Sequence, residues 1–324
     1  MVKAIRITRT GGPDVMSYED VELAAPAAGE VRVRHTAIGL NYIDTYFRSG
    51  LYPAPLPCGL GLEAAGVVDA VGDGVTTLKA GDRVAYGTGP LGAYSEAQNA
   101  PANRLVKIPD GVSDKDAAAM MLKGMTVQYL LRRTYEVQPG DTILFHAAAG
   151  GVGLIACQWA KHLGATVIGT AGSKEKADLA RKAGADHVIL YREEDVPARV
   201  QEITGAAMVP VVYDGVGKDT FEMSLDCLAP RGLMVSFGNA SGAVPPVDIG
   251  VLNLKGSLFL TRPSLAGYTA TDEDLAMTAA DLFDVMAKGV VTADVRQEYA
   301  LADAAQAHRD LEARKTTGAT VLIP

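Results

Sequence analysis

Thr142-Ile143-Leu144-Phe145-His146-Ala147-Ala148-Ala149-Gly150-Gly151-Val152-Gly153 joins a short apolar run to a segment, residues 152–163, whose apolar positions recur at helical spacing. Small residues at such a junction let the backbone come close to a pyrophosphate. The start of the following helix adds free N–H groups and positive partial charge. A glycine-rich turn alone serves packing as readily as a ligand, so context decides. Here an apolar run precedes the turn, a helical pattern follows it, and a second apolar run spans residues 166–170. That is the strand–turn–helix–strand order of a dinucleotide site. Further along, helical segments at 174–183 and 196–204 alternate with strand-like runs at 187–191, 209–214 and 232–237. Alternation at this pace predicts right-handed βαβ units and a parallel sheet.

The end of the second strand bears on which dinucleotide binds. An NAD site usually carries Asp or Glu there for the ribose 2′-hydroxyl. This chain has Thr170-Ala171-Gly172-Ser173-Lys174-Glu175-Lys176, a hydroxyl and two lysines with no acid at the strand end. Such a set suits a 2′-phosphate, which needs donors and positive charge, and so favours NADPH. Ser173 also reads as the N-cap of the following helix, and both roles are compatible.

Upstream, residues 1–120 are β-rich. Short alternating runs at 4–8, 30–38 and 66–71 are broken by Gly, Pro and Asp, and another strand restarts at Gly81-Asp82-Arg83-Val84, which suggests a small barrel-like domain. The pattern changes near Ala117. Past residue 272 come a helical pattern at 275–287, another near 302–314, and a final strand at 319–323. At 324 residues, two domains are expected. The acids outnumber the bases, 38 to 30, giving a net charge of −8, which argues against a nucleic-acid groove or an anionic membrane as partner. No apolar run approaches the ~18 residues of a membrane span. Cys58, Cys157 and Cys227 form no CxxC pair, so neither a disulfide framework nor a zinc cluster is expected. The strand-like start lacks an apolar signal-peptide region, and a cytoplasmic protein is expected.

Several motifs together carry a family resemblance. The stretch from Gly140-Asp141-Thr142 through Gly150-Gly151-Val152-Gly153 to Gln158-Trp159-Ala160-Lys161 resembles quinone oxidoreductases and zeta-crystallins. Gly61-Leu62-Glu63-Ala64-Ala65-Gly66-Val67-Val68 with Ala80-Gly81-Asp82-Arg83-Val84 resembles the barrel hallmark of the medium-chain dehydrogenase/reductase superfamily. Asn41-Tyr42-Ile43-Asp44-Thr45-Tyr46, Arg48-Ser49-Gly50-Leu51-Tyr52-Pro53, Ser236-Phe237-Gly238-Asn239 and Thr261-Arg262-Pro263-Ser264 resemble the bacterial NADPH:quinone oxidoreductases. The resemblance spans essentially the whole chain. It implies an α/β protein with a GroES-like, β-rich catalytic domain at 1–122, completed by 264–324. A Rossmann domain with a doubly wound parallel sheet would occupy 123–263, with the active site in the cleft. It further implies a homodimer joined through the nucleotide domains, with residues 257–260 as the pairing strand. Zinc relatives place Cys where this chain has Asn41, and His where it has Leu62 beside Glu63. Asn and Leu are not the ligands zinc prefers, so no metal is expected, and Glu63 is read as a structural carboxylate.

Carried over residue by residue, the resemblance puts Asn41, Asp44, Tyr46 and Tyr52 on the nicotinamide and acceptor side, with Asn41, Tyr46 and Tyr52 as the catalytic set. Thr126 falls near the nicotinamide ribose or phosphate, and Gly150, Gly151 and Val152 face the pyrophosphate. Ser173, Lys176, Tyr191 and Arg314 take the adenine ribose and its 2′-phosphate. Phe237, Gly238, Asn239 and Thr261 hold the nicotinamide half. Blander readings stand beside these: packing for Tyr46 and Tyr52, a helix cap or ion pair for Asp44, and a solvated cluster with Lys315 for Arg314. The implied reaction passes reducing equivalents from NADPH to a quinone or another electrophilic acceptor. Neutral donors would meet the charge that develops on the acceptor oxygen. An enone or 2-alkenal reductase and a non-catalytic, crystallin-like NADPH-binding protein are the competing readings.

Overall fold

The structure, a computed structural model, describes residues 1–324. The chain divides into two compact units. Met1–Met125, Thr269–Ala287 and Ala293–Pro324 form the first, and Thr126–Tyr268 with Lys288–Thr292 the second.

The first unit opens with β1 (Val2–Ile7), β2 (Met16–Val21), β3 (Glu30–Leu40), α1 (Tyr42–Ser49), β4 (Cys58–Gly59) and β5 (Ala64–Val71). It continues through β6 (Arg83–Tyr86), β7 (Ala97–Pro101), β8 (Val106–Lys107) and α2 (Asp114–Tyr129), which carries the chain into the second unit. The second unit holds β9 (Thr142–Phe145), α3 (Gly151–His162), β10 (Thr166–Ala171), α4 (Lys174–Lys182), β11 (His187–Leu190) and α5 (Val196–Ile203). After these come β12 (Val209–Asp214), α6 (Phe221–Asp226), β13 (Leu228–Ser236), α7 (Gly250–Leu254), β14 (Phe259–Thr261) and α8 (Leu265–Tyr268). The chain then returns to the first unit as α9 (Asp272–Ala287), β15 (Val295–Ala300), α10 (Ala304–Glu312) and β16 (Ala319–Ile323).

In the first unit β3 is the organising strand. Val31, Val33, His35 and Ala37 are buried, whereas Arg32, Arg34 and Thr36 are not, the period-two pattern of a strand with one covered face. It pairs antiparallel with β5, β7 and β16, within a sheet ordered β15-β16-β3-β5-β6-β8. A smaller sheet runs β2-β1-β4. Ile5, Ile7, Ile38, Leu40, Tyr86 and Tyr94 pack with Leu301, Ala304 and Leu322 from the returning tail. Burying side chains of that size stabilises by about 1.5–3 kcal/mol each, so the tail is part of this core.

The second unit has a six-stranded sheet in the order β11-β10-β9-β12-β13-β14, with every ladder parallel. The order reverses between β9 and β12, and such a switch point leaves a crevice at the carboxyl ends of the strands. Leu144, Ile168, Ile189, Val212 and Met234 from five strands form one core with Val200, Phe221 and Leu225 of α5 and α6. The expected elements of this unit lie within about one residue of the observed ones, with two exceptions. β13 begins at Leu228 rather than residue 232, because Pro230 and Gly232 interrupt its sequence pattern and its register against β12 shifts there. The strand expected at 257–260 is Phe259–Thr261, at the sheet edge.

Candidate dinucleotide and acceptor site

The turn after β9 is shaped by close backbone approach. Ala147 has φ 53°, in the left-handed region. Its N–H is held by Thr170 Oγ1 at 3.2 Å. Gly150 is the N-cap of α3, and no side chain caps that helix, which leaves its first-turn amides to a ligand. A Cβ on Gly153 would lie 2.4 Å from the Ala147 carbonyl oxygen, and one on Gly150 would lie 3.2 Å from the same atom. Only glycine at 153 lets the helix start sit this close to the strand end. The cradle formed by Gly150, Gly151 and Val152 therefore fits a pyrophosphate.

A buried hydrogen-bond chain lies beneath this turn. Asp214 accepts from four donors: Val216 N at 2.8 Å, Gly217 N at 3.0 Å, Thr220 Oγ1 at 2.7 Å and Ser224 Oγ at 2.8 Å. Because the Ser224 hydroxyl donates to Asp214, its oxygen accepts from His146 Nε2 at 3.0 Å. His146 Nδ1 is then the acceptor for Thr170 Oγ1 at 3.0 Å, and Thr170 in turn accepts from Ala147 N. One directional chain thus ties the turns after β9 and β12 to Thr170 near the end of β10. Burial pushes the His146 imidazole below its ordinary range, so it stays neutral.

At the end of β10, Ser173 is the N-cap of α4, accepting from Lys176 N at 3.4 Å. The hydroxyl of Tyr191, which follows β11, lies over Gly172, where a Cβ would come within 2.7 Å of it. Ser173, Lys176 and Tyr191 are therefore gathered at the carboxyl ends of two paired strands. After β12 and β13, Gly215 and Gly238 meet backbone to backbone, and a Cβ on Gly238 would be 2.5 Å from the Gly215 oxygen. The Phe237 ring covers Gly215 and lies 5.8 Å from the Phe145 ring. Asn239, with its amide oxygen turned toward Arg262 Nη2 at 3.3 Å, and Thr261, beside Val235, complete this group. Thr126 is buried on α2.

The remaining residues belong to the first unit. Asn41 is the N-cap of α1, and its amide Nδ2 donates to Glu63 Oε2 at 2.8 Å. Glu63 is fully buried and also accepts from Leu122 N at 2.6 Å and Lys123 Nζ at 3.2 Å. Asp44 receives the Asn41 N–H at 2.8 Å, so the helix-cap reading describes its contacts. Tyr46 and Tyr52 meet edge to face, 5.2 Å between ring centres. Asn41, Asp44, Tyr46 and Tyr52 are thus brought together by α1 and the turn after it. Arg314 follows α10 with φ 58° and lies in this unit, whereas Ser173, Lys176 and Tyr191 lie in the other.

These donors do not fit a zinc ion. Asn41 turns its amide nitrogen toward Glu63 and gives it one hydrogen, the Glu63 carboxylate faces three N–H donors, and no group of three His, Cys, Asp or Glu side chains converges anywhere. Sequence reasoning passed over His146, Ser224 and Asp214, and also Lys123, Tyr94, His308 and Arg48. A histidine directly before a glycine-rich turn was a usable signal for His146. The others meet across large sequence separations and left none.

Residues 27–110 match the family described as the alcohol dehydrogenase GroES-like domain, and residues 151–287 that described as zinc-binding dehydrogenase. A Pseudomonas aeruginosa quinone oxidoreductase is 59% identical over 325 residues, covering 100% of both chains. The structure of Escherichia coli quinone oxidoreductase complexed with NADPH superposes with a TM-score of 0.98 at 56% identity, covering 99% of this chain and 100% of that one. A 2-haloacrylate reductase from a Burkholderia species is 47% identical over 335 residues, covering 100% of this chain and 99% of its own.

Proposed function

This chain belongs to the quinone oxidoreductase family of the medium-chain dehydrogenases/reductases, and from that premise we propose that it reduces quinones with NADPH, without a metal ion. The observation that carries the reading is the uncapped, glycine-lined start of α3 beside β10, which ends at Ala171 without an acid and is followed by Ser173 and Lys176.

NADPH supplies the hydride when bound. For the protein's part, Gly150, Gly151 and Val152 offer backbone N–H groups to the pyrophosphate. Ser173, Lys176 and Tyr191 would hold the 2′-phosphate end. Phe237, Gly238, Asn239, Thr261 and Thr126 would hold the nicotinamide half. Asn41 keeps a second amide hydrogen beyond the one given to Glu63, and with the Tyr46 and Tyr52 hydroxyls it would donate to the acceptor oxygen as negative charge develops there. A quinone is already a strong acceptor, so neutral donors suffice.

We further propose a homodimer formed along the β14 edge. That strand is paired on one side only, and Phe259 is 61% exposed, Leu254 84% and Ile249 80%, apolar surface that a second copy would cover. The cytoplasm is the proposed setting: the three cysteines are unpaired, and no helix is long and apolar enough to cross a membrane.

The Burkholderia relative favours one second reading, reduction of an electron-poor alkene. The test follows NADPH absorbance with 1,4-naphthoquinone and with a 2-alkenone. Turnover of the quinone with higher kcat/KM supports the proposal. Preference for the alkenone, or tight NADPH binding with neither acceptor reduced, overturns it.

A further inference from the structure

The first unit contains a second directional hydrogen-bond chain, and it ends on Asp44. Asp44 is fully buried, as are Tyr94 and His308, and Arg48 is nearly so. Arg48 pairs with Glu312 through Nη2 and Oε1 at 2.6 Å, and its Nη1 lies 3.1 Å from His308 Nδ1. A guanidinium only donates, so Nδ1 accepts and the imidazole proton sits on Nε2. Nε2 lies 3.0 Å from the Tyr94 oxygen, which it reaches as donor, because the Tyr94 hydroxyl itself donates to Asp44 Oδ2 at 2.8 Å. Every hydrogen in the run from Arg48 to Asp44 points toward the carboxylate. The N–H of Asn41 reaches the same oxygen, whereas Oδ1 is buried with no hydrogen-bond partner.

We propose that Asp44 is a positioning carboxylate whose charge sets how firmly α1 holds Asn41 and Tyr46, and that Arg48, His308 and Tyr94 form the chain that sets this charge. The inference rests on the quinone reductase reading of the Asn41 and Tyr46 side. As an anion, Asp44 binds the Asn41 amide and the Tyr94 hydroxyl with charge-assisted bonds and pins the first turn of α1. Protonated on Oδ1, it keeps the same geometry with weaker bonds.

The groups facing Asp44 oppose one another. Burial pushes its carboxyl up to about 7, the largest influence. The Asn41 N–H, the Tyr94 hydroxyl and the Lys123 charge on α2 lower it, and Glu63 raises it. His308 is held neutral, pushed down to about 3 by burial and by Arg48, so it contributes a donor and no charge. Arg48 has its own counter-ion in Glu312. Removing the Tyr94 donor therefore leaves desolvation less opposed and moves the Asp44 titration to higher pH. A neutral donor to a charged acceptor corresponds to a shift of about one to two pH units.

The experiment measures kcat/KM for 1,4-naphthoquinone from pH 5.5 to 9 in the wild type, Tyr94→Phe and Asp44→Asn, with the NADPH Kd determined separately at each pH. The wild-type value is expected to rise through a midpoint near 7. Tyr94→Phe should move that midpoint upward while recovering about half or more of the wild-type rate at pH 9, and Asp44→Asn should flatten it. An unmoved midpoint in Tyr94→Phe, or an inflection retained in Asp44→Asn, overturns the proposal. Carbon-13 NMR of the Asp44 carboxyl follows the same titration without turnover. A carboxyl that titrates near neutral pH and shifts upward in Tyr94→Phe, in a protein that reduces no quinone, rejects the functional reading and leaves the Tyr94 control of Asp44 standing. A carboxyl already ionised at pH 5.5 rejects the present proposal alone.

Discussion

Ser224→Ala probes whether the chain under the dinucleotide turn is a single unit. Ser224 is fully buried, and its hydroxyl stands between His146 Nε2 and Asp214 Oδ2. Alanine leaves the His146 N–H without an acceptor and removes one of four donors to Asp214. Stranding a buried donor costs about 1–3 kcal/mol, and a lost bond to a carboxylate adds to that, so unfolding free energy should fall by about 2–4 kcal/mol. A domain's total of ~5–15 kcal/mol makes that a large fraction. Thr220→Val is the control: it takes a donor from the same carboxylate, at 2.7 Å, and leaves His146 satisfied. The assay is urea unfolding at pH 8, where His146 is neutral, with fluorescence titration of NADPH alongside. Ser224→Ala should cost more than Thr220→Val and should weaken NADPH, because Thr170 and the Ala147 turn hang from His146. Equal costs for the two variants, or a loss below about 0.5 kcal/mol in Ser224→Ala, would refute the directional chain.

Lys176→Ala should weaken NADPH by about ten- to a hundredfold and leave NADH nearly unchanged, as losing a charge-assisted bond of roughly 1.5–3 kcal/mol requires; equal weakening of both cofactors, measured by titration, would make Lys176 structural. Glu63→Ala leaves Lys123 buried without its counter-ion and the Asn41 amide without its acceptor, so chemical denaturation should show a loss of about 3–5 kcal/mol. Stability should also fall as pH drops from about 6.5 toward 5. His35 and His308 are pushed down by burial to about 4 and about 3, so the unfolded chain takes up two protons that the folded one refuses, and His146, also lowered by burial, adds in the same direction. The raised Asp44 carboxyl binds one in the folded state only, partly offsetting them. The net slope is on the order of 1–2 kcal/mol per pH unit, and denaturation midpoints that stay flat across the window would contradict it.

The nucleotide unit was the more legible part because its signals are local. Apolar runs, helical spacing and the glycine turn fixed β9, α3 and β10 to within a residue, and the missing acid after β10 lies in the same short stretch. β13 escaped in part because Pro230 looks like a boundary, yet the strand continues through a register shift. β15 escaped because its pattern is half-buried and charged, with Arg296 and Glu298 on its exposed side. In the first unit the motif around Asn41 and the structural part of Glu63 were readable, but the other supports were not. Tyr94, Lys123 and His308 come to this group from three distant stretches, and only the fold makes them neighbours. Nothing local announces that the charges of Lys123 and Arg48 are buried beside their partners.

The ladder between β16 and β3, where Thr320 pairs with Leu40, bears on synthesis. As the chain emerges, β3 is made early, and one of its neighbours arrives only after the whole second unit has left the ribosome. The second unit is contiguous over Thr126–Tyr268, apart from five residues supplied later, and its parallel strands can close while the first unit still waits. During that interval β3 carries an open flank with buried-type residues such as Ile38 and Leu40, an opening for mispairing with another nascent chain. Vectorial folding of this protein therefore finishes the inserted unit before the unit that encloses it in sequence. Slow translation between residues 268 and 319 would lengthen exposure of the β3 edge and raise the demand for a chaperone at that stage.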